Sequence, residues 1–224
     1  MQNVYLFITI TKKTDGKEFI DFFLEHKVSP IYSTIGHGMA SSKTLSLLGL
    51  EQTEKVVMQS IVTTSKMYEL KSALTKTMSI DLPDRGIAVA VPLSSIASKR
   101  VLDHILTEQA TCDTQIQTST ERKIDMELIF AICIKGNSDK IMDAARAAGA
   151  RGGTVVKAKG TASGSDMFFG MAISDEKEII YIVARKEEKS EIMKAIASYT
   201  NEHGTHPITF SLPVTETAGF RLLD

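Results

Sequence analysis

The amino-acid sequence predicts an α+β fold of two tandem units, each ordered strand, helix, strand, strand, helix, strand. Apolar runs of strand length alternate with segments of helical periodicity, and short motifs recur at a fixed spacing along the chain. Gly38 is matched by Gly160, and Ala73 by Ala195, both at a spacing of 122 residues. The order of the elements repeats together with the motifs, which indicates a duplication.

The elements of the first copy follow from its apolar patterning. The run VYLFITIT, which begins at Val4, suits a central strand. Apolar residues at helical spacing predict helices that begin near Lys17 and Met67. The other strands of this copy are predicted to begin at Tyr32, Lys55 and Gly86.

The second copy has the same order of elements. Asn137 or Ser138 can cap its first helix, because either side chain can accept a hydrogen bond from an amide of the first turn. This helix is predicted to end at Gly149, since glycine readily takes the left-handed backbone that follows many helices. Strands are predicted for LIFAICI, GTVVKAK, EIIYIVAR and ITFSLPV, and a second helix for EEKSEIMKAIASY.

Domain boundaries follow from the repeat and from local composition. Residues 1–96 and 126–224 are predicted as two domains, and residues 97–125 as a linker. The linker begins with a helical pattern, SIASKRVLDHILTEQ, and continues with a polar segment rich in Thr and Gln. A four-stranded unit of this order carries its helices on one face. The other face must be covered by the second copy or by another subunit, so we expect a homo-oligomer.

Bulk composition narrows the classes of function. A formal net charge of −1 over 224 residues argues against a nucleic-acid surface, which normally shows a basic excess. No apolar run is long enough to span a bilayer, and the N-terminus lacks the pattern of a signal peptide. Cys112 and Cys133 make no disulfide framework, and Cys133 lies in an apolar run that predicts a buried thiol. A cytoplasmic location is expected.

The second copy resembles the PII nitrogen-regulatory signalling proteins. The resemblance covers roughly residues 126–221 and is carried by MELIFAICI, AAGARGGTVVKAKG, EKEIIYIVARKEEKSEIMKAIASY and ITFSLPV. The segment GGTVVKAKG, from Gly152, is its most specific part. The first copy is similar only through the repeat, with Pro30–Tyr32 standing where the second copy has Gly152–Thr154.

The resemblance implies a regulator and not an enzyme. PII proteins are trimers of ferredoxin-like domains that bind ATP or ADP in clefts between subunits, and many sense 2-oxoglutarate. They regulate a target protein by direct contact, through a long loop between the second and third strands. The resemblance therefore implies two tandem ferredoxin-like domains, a trimer, an adenine nucleotide as small anionic ligand, a target protein as partner and a role in nitrogen metabolism.

The chain departs from the family in both of its ligand loops. Before the last strand the family has a glycine-aspartate-glycine-lysine loop, whereas this chain reads NEHGTHPITF, and its first copy offers only Arg85 and Gly86. The loop between the second and third strands is short in both copies, contains no tyrosine, and has Ala162 and Ser163 near the place of the usual glutamine. We therefore do not expect 2-oxoglutarate as a ligand, and nucleotide binding stays open.

Ten residues are candidate ligand contacts by this resemblance. Thr154 would hydrogen-bond the base, Lys159 would contact phosphate, and turn glycines would offer amides to an anion. The plain alternatives are a helix-to-strand turn, a solvated strand face and a hairpin turn. His203 and His206 alone do not make a zinc site, which needs four ligands, so no metal is expected. The candidate set is Gly152, Gly153, Thr154, Lys159, Gly160, Thr161, Ala162, Gly204, His206 and Arg221.

The sequence leaves two main functional hypotheses. In the first, a PII-like regulator binds a ligand that changes its affinity for a target protein. In the second, a PII-like scaffold has lost nucleotide binding and serves as a structural or interaction module. An enzyme on the same fold comes third, because the sequence has no Ser/His/Asp pattern and no Walker-type loop.

Overall fold

A computed structural model describes residues 3–39, 53–96, 99–109, 125–159, 176–203 and 207–220. The chain forms two compact units, and neither is one contiguous stretch. Unit 1 comprises Met1–Thr34, Lys55–Ile124 and Pro213–Asp224, and unit 2 comprises Ile35–Glu54 and Asp125–Leu212. The boundaries at residues 97 and 125, which follow the repeat along the chain, remain a prediction.

The observed elements confirm the predicted fold class, because the order strand, helix, strand, strand, helix, strand occurs twice. Corresponding elements begin 122 residues apart, as β1 at Val4 and β5 at Met126 do, except that β2 at Tyr32 and β6 at Gly153 begin 121 apart. The first copy contains β1 (Val4–Lys12), a 3-10 turn (Lys13–Asp15), α1 (Gly16–Glu25), β2 (Tyr32–Met39), β3 (Glu54–Thr63), α2 (Thr64–Lys76) and β4 (Gly86–Pro92), followed by α3 (Lys99–Glu108). The second copy contains β5 (Met126–Ile134), α4 (Ser138–Ala147), β6 (Gly153–Lys159), β7 (Glu176–Arg185), α5 (Lys186–His203) and β8 (Ile208–Val214), followed by β9 (Glu216–Ala218).

Unit 1 has its strands in the order β3-β1-β4-β9. Ile8 of β1 lies opposite Gln59 of β3 on one side and Val89 of β4 on the other, both in antiparallel register. Helices α1 and α2 cover one face of this sheet. The apolar cluster between them and the strands includes Phe7, Phe19, Phe23, Met58, Leu70 and Leu74.

Unit 2 has its strands in the order β8-β5-β7-β6-β2. The registers of β5 with β7, of β7 with β6 and of β6 with β2 are antiparallel. Helices α4 and α5 cover one face. Their shared core includes Ile129, Ala131, Cys133, Ile141, Met142, Ile180, Ile192 and Ile196. Because side chains alternate along a strand, the residues between these core positions face away from the helices.

Two helix starts differ from the sequence-based expectation. Helix α2 begins at Thr64, before the predicted Met67, because the Thr63 hydroxyl accepts a hydrogen bond from the Lys66 amide at 3.3 Å and caps the first turn. Asn137 occupies the N-cap position of α4, but its side-chain amide donates to the Ile134 carbonyl at 3.4 Å and makes no cap bond. Neither of the two predicted side-chain caps is observed, because Asn137 makes no cap bond and Ser138 is already the first helical residue.

Among the helices of the described segments, none combines the length and the apolar character needed to span a bilayer.

Candidate functional site

The stretch from Gly149 to Gly153 joins α4 to β6. Gly149 has a φ of 103°, as predicted for the residue after a helix. Its amide donates to the Arg146 carbonyl at 3.0 Å, and the Ala150 amide donates to the Ala145 carbonyl at 3.0 Å. These two bonds form a Schellman motif, and buried Ala150 packs back on the helix core. This part of the glycine-rich stretch therefore has a structural explanation.

Positions 152 and 153 differ in how much room the structure leaves for a side chain. A Cβ on Gly153 would lie 2.8 Å from Met142 Sδ and 3.2 Å from the Tyr181 carbonyl oxygen, so glycine lets α4 pack closely on the sheet. A Cβ on Gly152 would meet only the Met39 carbonyl oxygen, at 3.8 Å. Packing among the described residues thus explains Gly153 and leaves Gly152 as the position where a ligand contact would account for the residue type.

Arg146 holds the strand beside Gly152 in place. Its guanidinium donates to the Met39 carbonyl at 2.9 Å and pairs with Asp143 at 2.7 Å. Met39 lies opposite Gly153 in the β2–β6 register. Sequence reasoning missed this residue, although the Asp143–Arg146 spacing of one helical turn was its visible signal. Arg146 and Arg151, which directly precedes Gly152, are the two arginines in the segment from α4 to β6.

Thr154 lies on the face of the unit 2 sheet that points away from the helices. It stands opposite Gly38 in β2 and Tyr181 in β7, and it is 7% exposed. Val155, the next residue, belongs to the helix-side core, which fixes the direction of Thr154 by alternation. A contact from Thr154 to a ligand base would therefore have to be made on the helix-free face.

Lys159 points to the other face of the same strand. Alternate residues of a strand point to the same face, so Lys159 lies on the face of Val155 and Lys157. Both lysines are exposed. Lys157 lies opposite Glu178 and Lys159 opposite Glu176, so a carboxylate faces each ammonium group across the strand pair. The five residue-to-residue steps from Thr154 to Lys159 also span about 17 Å of extended strand. The structure therefore does not bring Thr154 and Lys159 onto one surface.

The charged end of β7 is held by residues of the β5–α4 turn. Lys135 pairs with Glu176 at 2.8 Å, and the Gly136 amide donates to Glu178 at 3.1 Å. The hydrogen bond from Lys135 lowers the pKa of Glu176, and the charges of Lys159 and Lys157 lower it further. On this face of β6 two exposed lysines lie opposite two carboxylates, and the role of Lys159 as a phosphate contact stays a prediction.

Six of the candidate contacts fall in segments that the structure does not describe. The loops after β6 and before β8, and the last four residues, are these segments. The candidates there are Gly160, Thr161, Ala162, Gly204, His206 and Arg221. Their assignment stays a prediction.

In the first copy, the charged side chains of the loop before β4 form ion pairs within unit 1. The Arg85 guanidinium donates to Asp15 at 2.9 Å and to both Glu18 oxygens at 2.8 and 2.9 Å. It also lies over the Phe19 ring, 5.6 Å from the centroid. Burial opposes the charge of Arg85, but the bonds and charges of Glu18 and Asp15 outweigh it and raise the pKa. The arginine that sequence analysis offered as a phosphate contact is thus neutralised within unit 1.

Asp84, in the same loop, forms ion pairs with two lysines. It accepts from Lys12 at 2.6 Å and from Lys55 at 3.0 Å. Burial alone would raise the pKa of this carboxyl. The hydrogen bonds and charges of the two lysines together outweigh burial, so the pKa is lowered. Three cations and three carboxylates therefore balance each other in this loop: Lys12, Lys55, Arg85, Asp15, Glu18 and Asp84.

No group of three or more His, Cys, Asp or Glu side chains within the described segments could hold a metal ion.

Comparison with known proteins identifies the second half. Residues 126–222 match the family model described as "Nitrogen regulatory protein P-II". Together with the β5-to-β8 order and the strand arrangement of unit 2, this match defines the second half as a PII-like domain of ferredoxin-like fold. The resemblance inferred from MELIFAICI, GGTVVKAKG and ITFSLPV is confirmed for this half.

Two solved structures align with nearly the whole chain. One is a microcompartments protein from Desulfitobacterium hafniense DCB, with 12% identity, coverage of 96% of this chain and 97% of that chain, and a TM-score of 0.27. The other is an unknown protein from Galdieria sulphuraria, with 9% identity, coverage of 94% and 99%, and a TM-score of 0.26. The search of curated proteins gave no match.

Proposed function

We propose that this chain is a non-enzymatic PII-like signalling protein that regulates nitrogen metabolism by ligand-dependent binding to a target protein. The observation that carries the proposal is the P-II family match over residues 126–222, on a half that has the corresponding order of strands and helices. Proteins of this family are regulators. A cytoplasmic site of action belongs to the same proposal.

Gly152 marks the place where we propose that a ligand binds. A small anionic ligand, ATP or ADP, would lie on the helix-free side of β6, where Thr154 points, and beside Gly152, whose Cβ would meet only the Met39 carbonyl oxygen among the described residues, at 3.8 Å. Arg151, which directly precedes Gly152 in the sequence, and Arg146, which donates to the Met39 carbonyl, would supply positive charge on this segment. Ligand binding would favour one loop conformation and thereby change the affinity for the target.

A second function is favoured by the charge pattern. Arg85 is saturated by Asp15 and Glu18, and Lys159 faces Glu176, so neither cation is presented alone to a phosphate. These observations support a PII-like interaction module without a nucleotide. Such a module would bind its target constitutively.

Calorimetric titration with ATP, ADP and AMP separates the two functions. The regulator predicts heat of binding and a raised melting temperature with at least one of the three nucleotides. Gly152→Val should abolish the heat while leaving the melting temperature of the free protein unchanged, because a Cβ at this position would make only an ordinary contact with the Met39 carbonyl oxygen, at 3.8 Å. Lys157→Ala is the matched control, since its side chain lies on the other face and binding should persist. Wild-type protein that shows neither heat nor stabilisation at millimolar nucleotide supports the interaction module.

The quaternary part of the proposal is a homotrimer. On the helix-free face of unit 2, Phe130 stacks on Phe210 with centroids 5.1 Å apart and contacts Tyr181 at 4.7 Å. Phe210 is 39% exposed and Ile208 is 50% exposed on the edge strand β8. An exposed aromatic and aliphatic stripe of this kind is typical of a protein interface. We propose that another copy of the chain covers it.

A further inference from the structure

The C-terminal strand β9 completes the sheet of unit 1, although it follows directly on the last strand of the second copy. Ala218, Thr217 and Glu216 lie opposite Ala88, Val89 and Ala90 of β4 in antiparallel register. The Thr215 amide donates to the Ala90 carbonyl at 2.8 Å. The segment therefore adds a strand to the edge of β4, in the manner of strand addition to a sheet.

Side chains fix β9 between β4 and helix α2. Glu216 pairs with Lys71 of α2 at 2.9 Å, and both side chains are partly buried. Ala218, at 7% exposure, joins the apolar cluster of unit 1. Burial raises the pKa of Tyr68 on the same helix, and the Glu216 carboxylate raises it further. The groove thus recognises one carboxylate and one small apolar side chain.

Gly219 sets the register of the docked segment. Its φ is 77°, a conformation that favours glycine. A Cβ there would lie 2.3 Å from the Gly86 carbonyl oxygen and 2.8 Å from the Ile80 carbonyl oxygen, closer than any side chain tolerates. Only glycine fits at this point, so a segment that slips by one residue cannot dock.

The docking is nevertheless small in extent. Three residues pair with β4, and among them only Ala218 is buried. The rest of the unit 1 cluster comes from α1, α2 and the strands β1, β3 and β4, and from Val28, Met78 and Ile80 in the connecting segments. A contact of this size opens at a lower free energy than the core does. We propose that the edge of β4 is a strand acceptor and that residues 215–219 are a latch that docks there reversibly.

Hydrogen exchange of the full-length protein tests the latch. Amides in peptides that cover β9 should exchange about tenfold faster or more than those in peptides that cover Val57 and Met58, which lie in the core of β3. Exchange of β9 at the same rate as β3 would show that the segment opens only with the whole unit, and it would overturn the proposal.

Charge variants test the recognition of Glu216. Glu216→Lys should raise the exchange rate of β9 about tenfold, because it places a second ammonium group against Lys71. The swap Lys71→Glu with Glu216→Lys should restore slow exchange. Glu191→Lys, which reverses the exposed carboxylate paired with Lys194 at 2.8 Å in α5, is the matched control and should leave β9 unchanged. A swap that restores nothing would contradict the pairing.

A peptide added in trans tests the acceptor itself. A labelled peptide with the sequence of residues 213–224 should bind the full-length Gly219→Val variant, whose own segment cannot dock, about tenfold more tightly than it binds wild type. Fluorescence anisotropy measures both affinities. Equal affinity for the two proteins, or no binding to either, would show that β4 does not accept a free strand.

Discussion

Two threonines of β1 place their hydroxyl groups in contrasting surroundings. Thr9 is 1% exposed, and its hydroxyl has no hydrogen-bond partner among the described residues. Thr11 is equally buried, but its hydroxyl donates to the Arg85 carbonyl at 2.6 Å. An unsatisfied buried hydroxyl costs free energy, whereas a satisfied one contributes.

Valine substitution should therefore act in opposite directions at these two sites. Thr9→Val should raise the free energy of unfolding by about 1 kcal/mol, and Thr11→Val should lower it by about 1 kcal/mol. Urea denaturation of the two isosteric variants measures both changes. A loss of stability in Thr9→Val equal to that in Thr11→Val would mean that the Thr9 hydroxyl has a partner after all.

The adjacent glycines before β6 make a second matched pair. Gly153→Ala should destabilise the protein by roughly 1–3 kcal/mol, because the new Cβ overlaps Met142 Sδ. Gly152→Ala should change stability by no more than about 0.5 kcal/mol. Thermal or urea unfolding distinguishes them. Equal losses would remove the argument that Gly152 is kept for a ligand.

Cys133 should be unreactive toward thiol reagents in the folded protein. Burial raises the pKa of its thiol to about 12, and the neighbouring Glu178 carboxylate adds to this. Only the thiolate reacts, so at pH 8 the reactive fraction is on the order of one in ten thousand. Iodoacetamide followed by mass spectrometry should show an unmodified Cys133 in buffer and a modified one in urea. Fast labelling in buffer would contradict the buried position.

At the level of elements, the sequence predicted the bounds of strands and helices correctly where the apolar periodicity and the turn residues at the ends agreed. Strands β6 and β8 have the bounds read from GTVVKAK and ITFSLPV, since both runs are enclosed by turn residues. The start of α2 was missed because Thr63 reads as part of a strand pattern and its capping role depends on the Lys66 amide. Strand β9 was not predicted, because three residues of mixed polarity carry no periodic signal.

Gln109 shows how a polar linker residue can become part of a sheet. It follows α3 and is 2% exposed. Its side-chain oxygen accepts from the Thr63 amide at 2.9 Å, and its side-chain nitrogen donates to the Ile61 carbonyl at 2.8 Å. The carboxamide thus satisfies two backbone groups of β3, as a neighbouring strand would.

Substitution of Gln109 should expose this role. Gln109→Leu should lower the free energy of unfolding by roughly 2–3 kcal/mol, because two buried backbone groups lose their partners. Gln109→Glu should be destabilising at pH 7 and less so near pH 4. Its buried carboxyl has a raised pKa in the folded state, so protonation at low pH favours folding and restores a donor. Urea denaturation at the two pH values measures the difference, and a pH-independent deficit would contradict it.

At the scale of the whole molecule, the duplication was visible in the sequence, but the compact units were not. The repeat at 122 residues gives the element order correctly. It gives no sign that 35–54 is grouped with the second copy or that 213–224 is grouped with the first. These groupings depend on pairings such as Gly36 with Val156 and Thr217 with Val89, which are distant in sequence and leave no local pattern. The candidate contacts around Gly152 were readable only through resemblance, because residue type alone cannot separate a packing glycine from a binding one.

The last prediction concerns the assembly of copies. Light scattering of the purified protein should give three times the 24.5 kDa mass of one chain, if the stripe of Phe130, Phe210 and Tyr181 is covered by another copy. Phe210→Lys should reduce the mass to that of one chain, because it places a charge within this aromatic stripe. Leu24→Lys is the control, since Leu24 is 52% exposed on α1 in unit 1, and its substitution should leave the trimer intact. A wild-type mass of 24.5 kDa, or a trimer that survives Phe210→Lys, would rule out this interface.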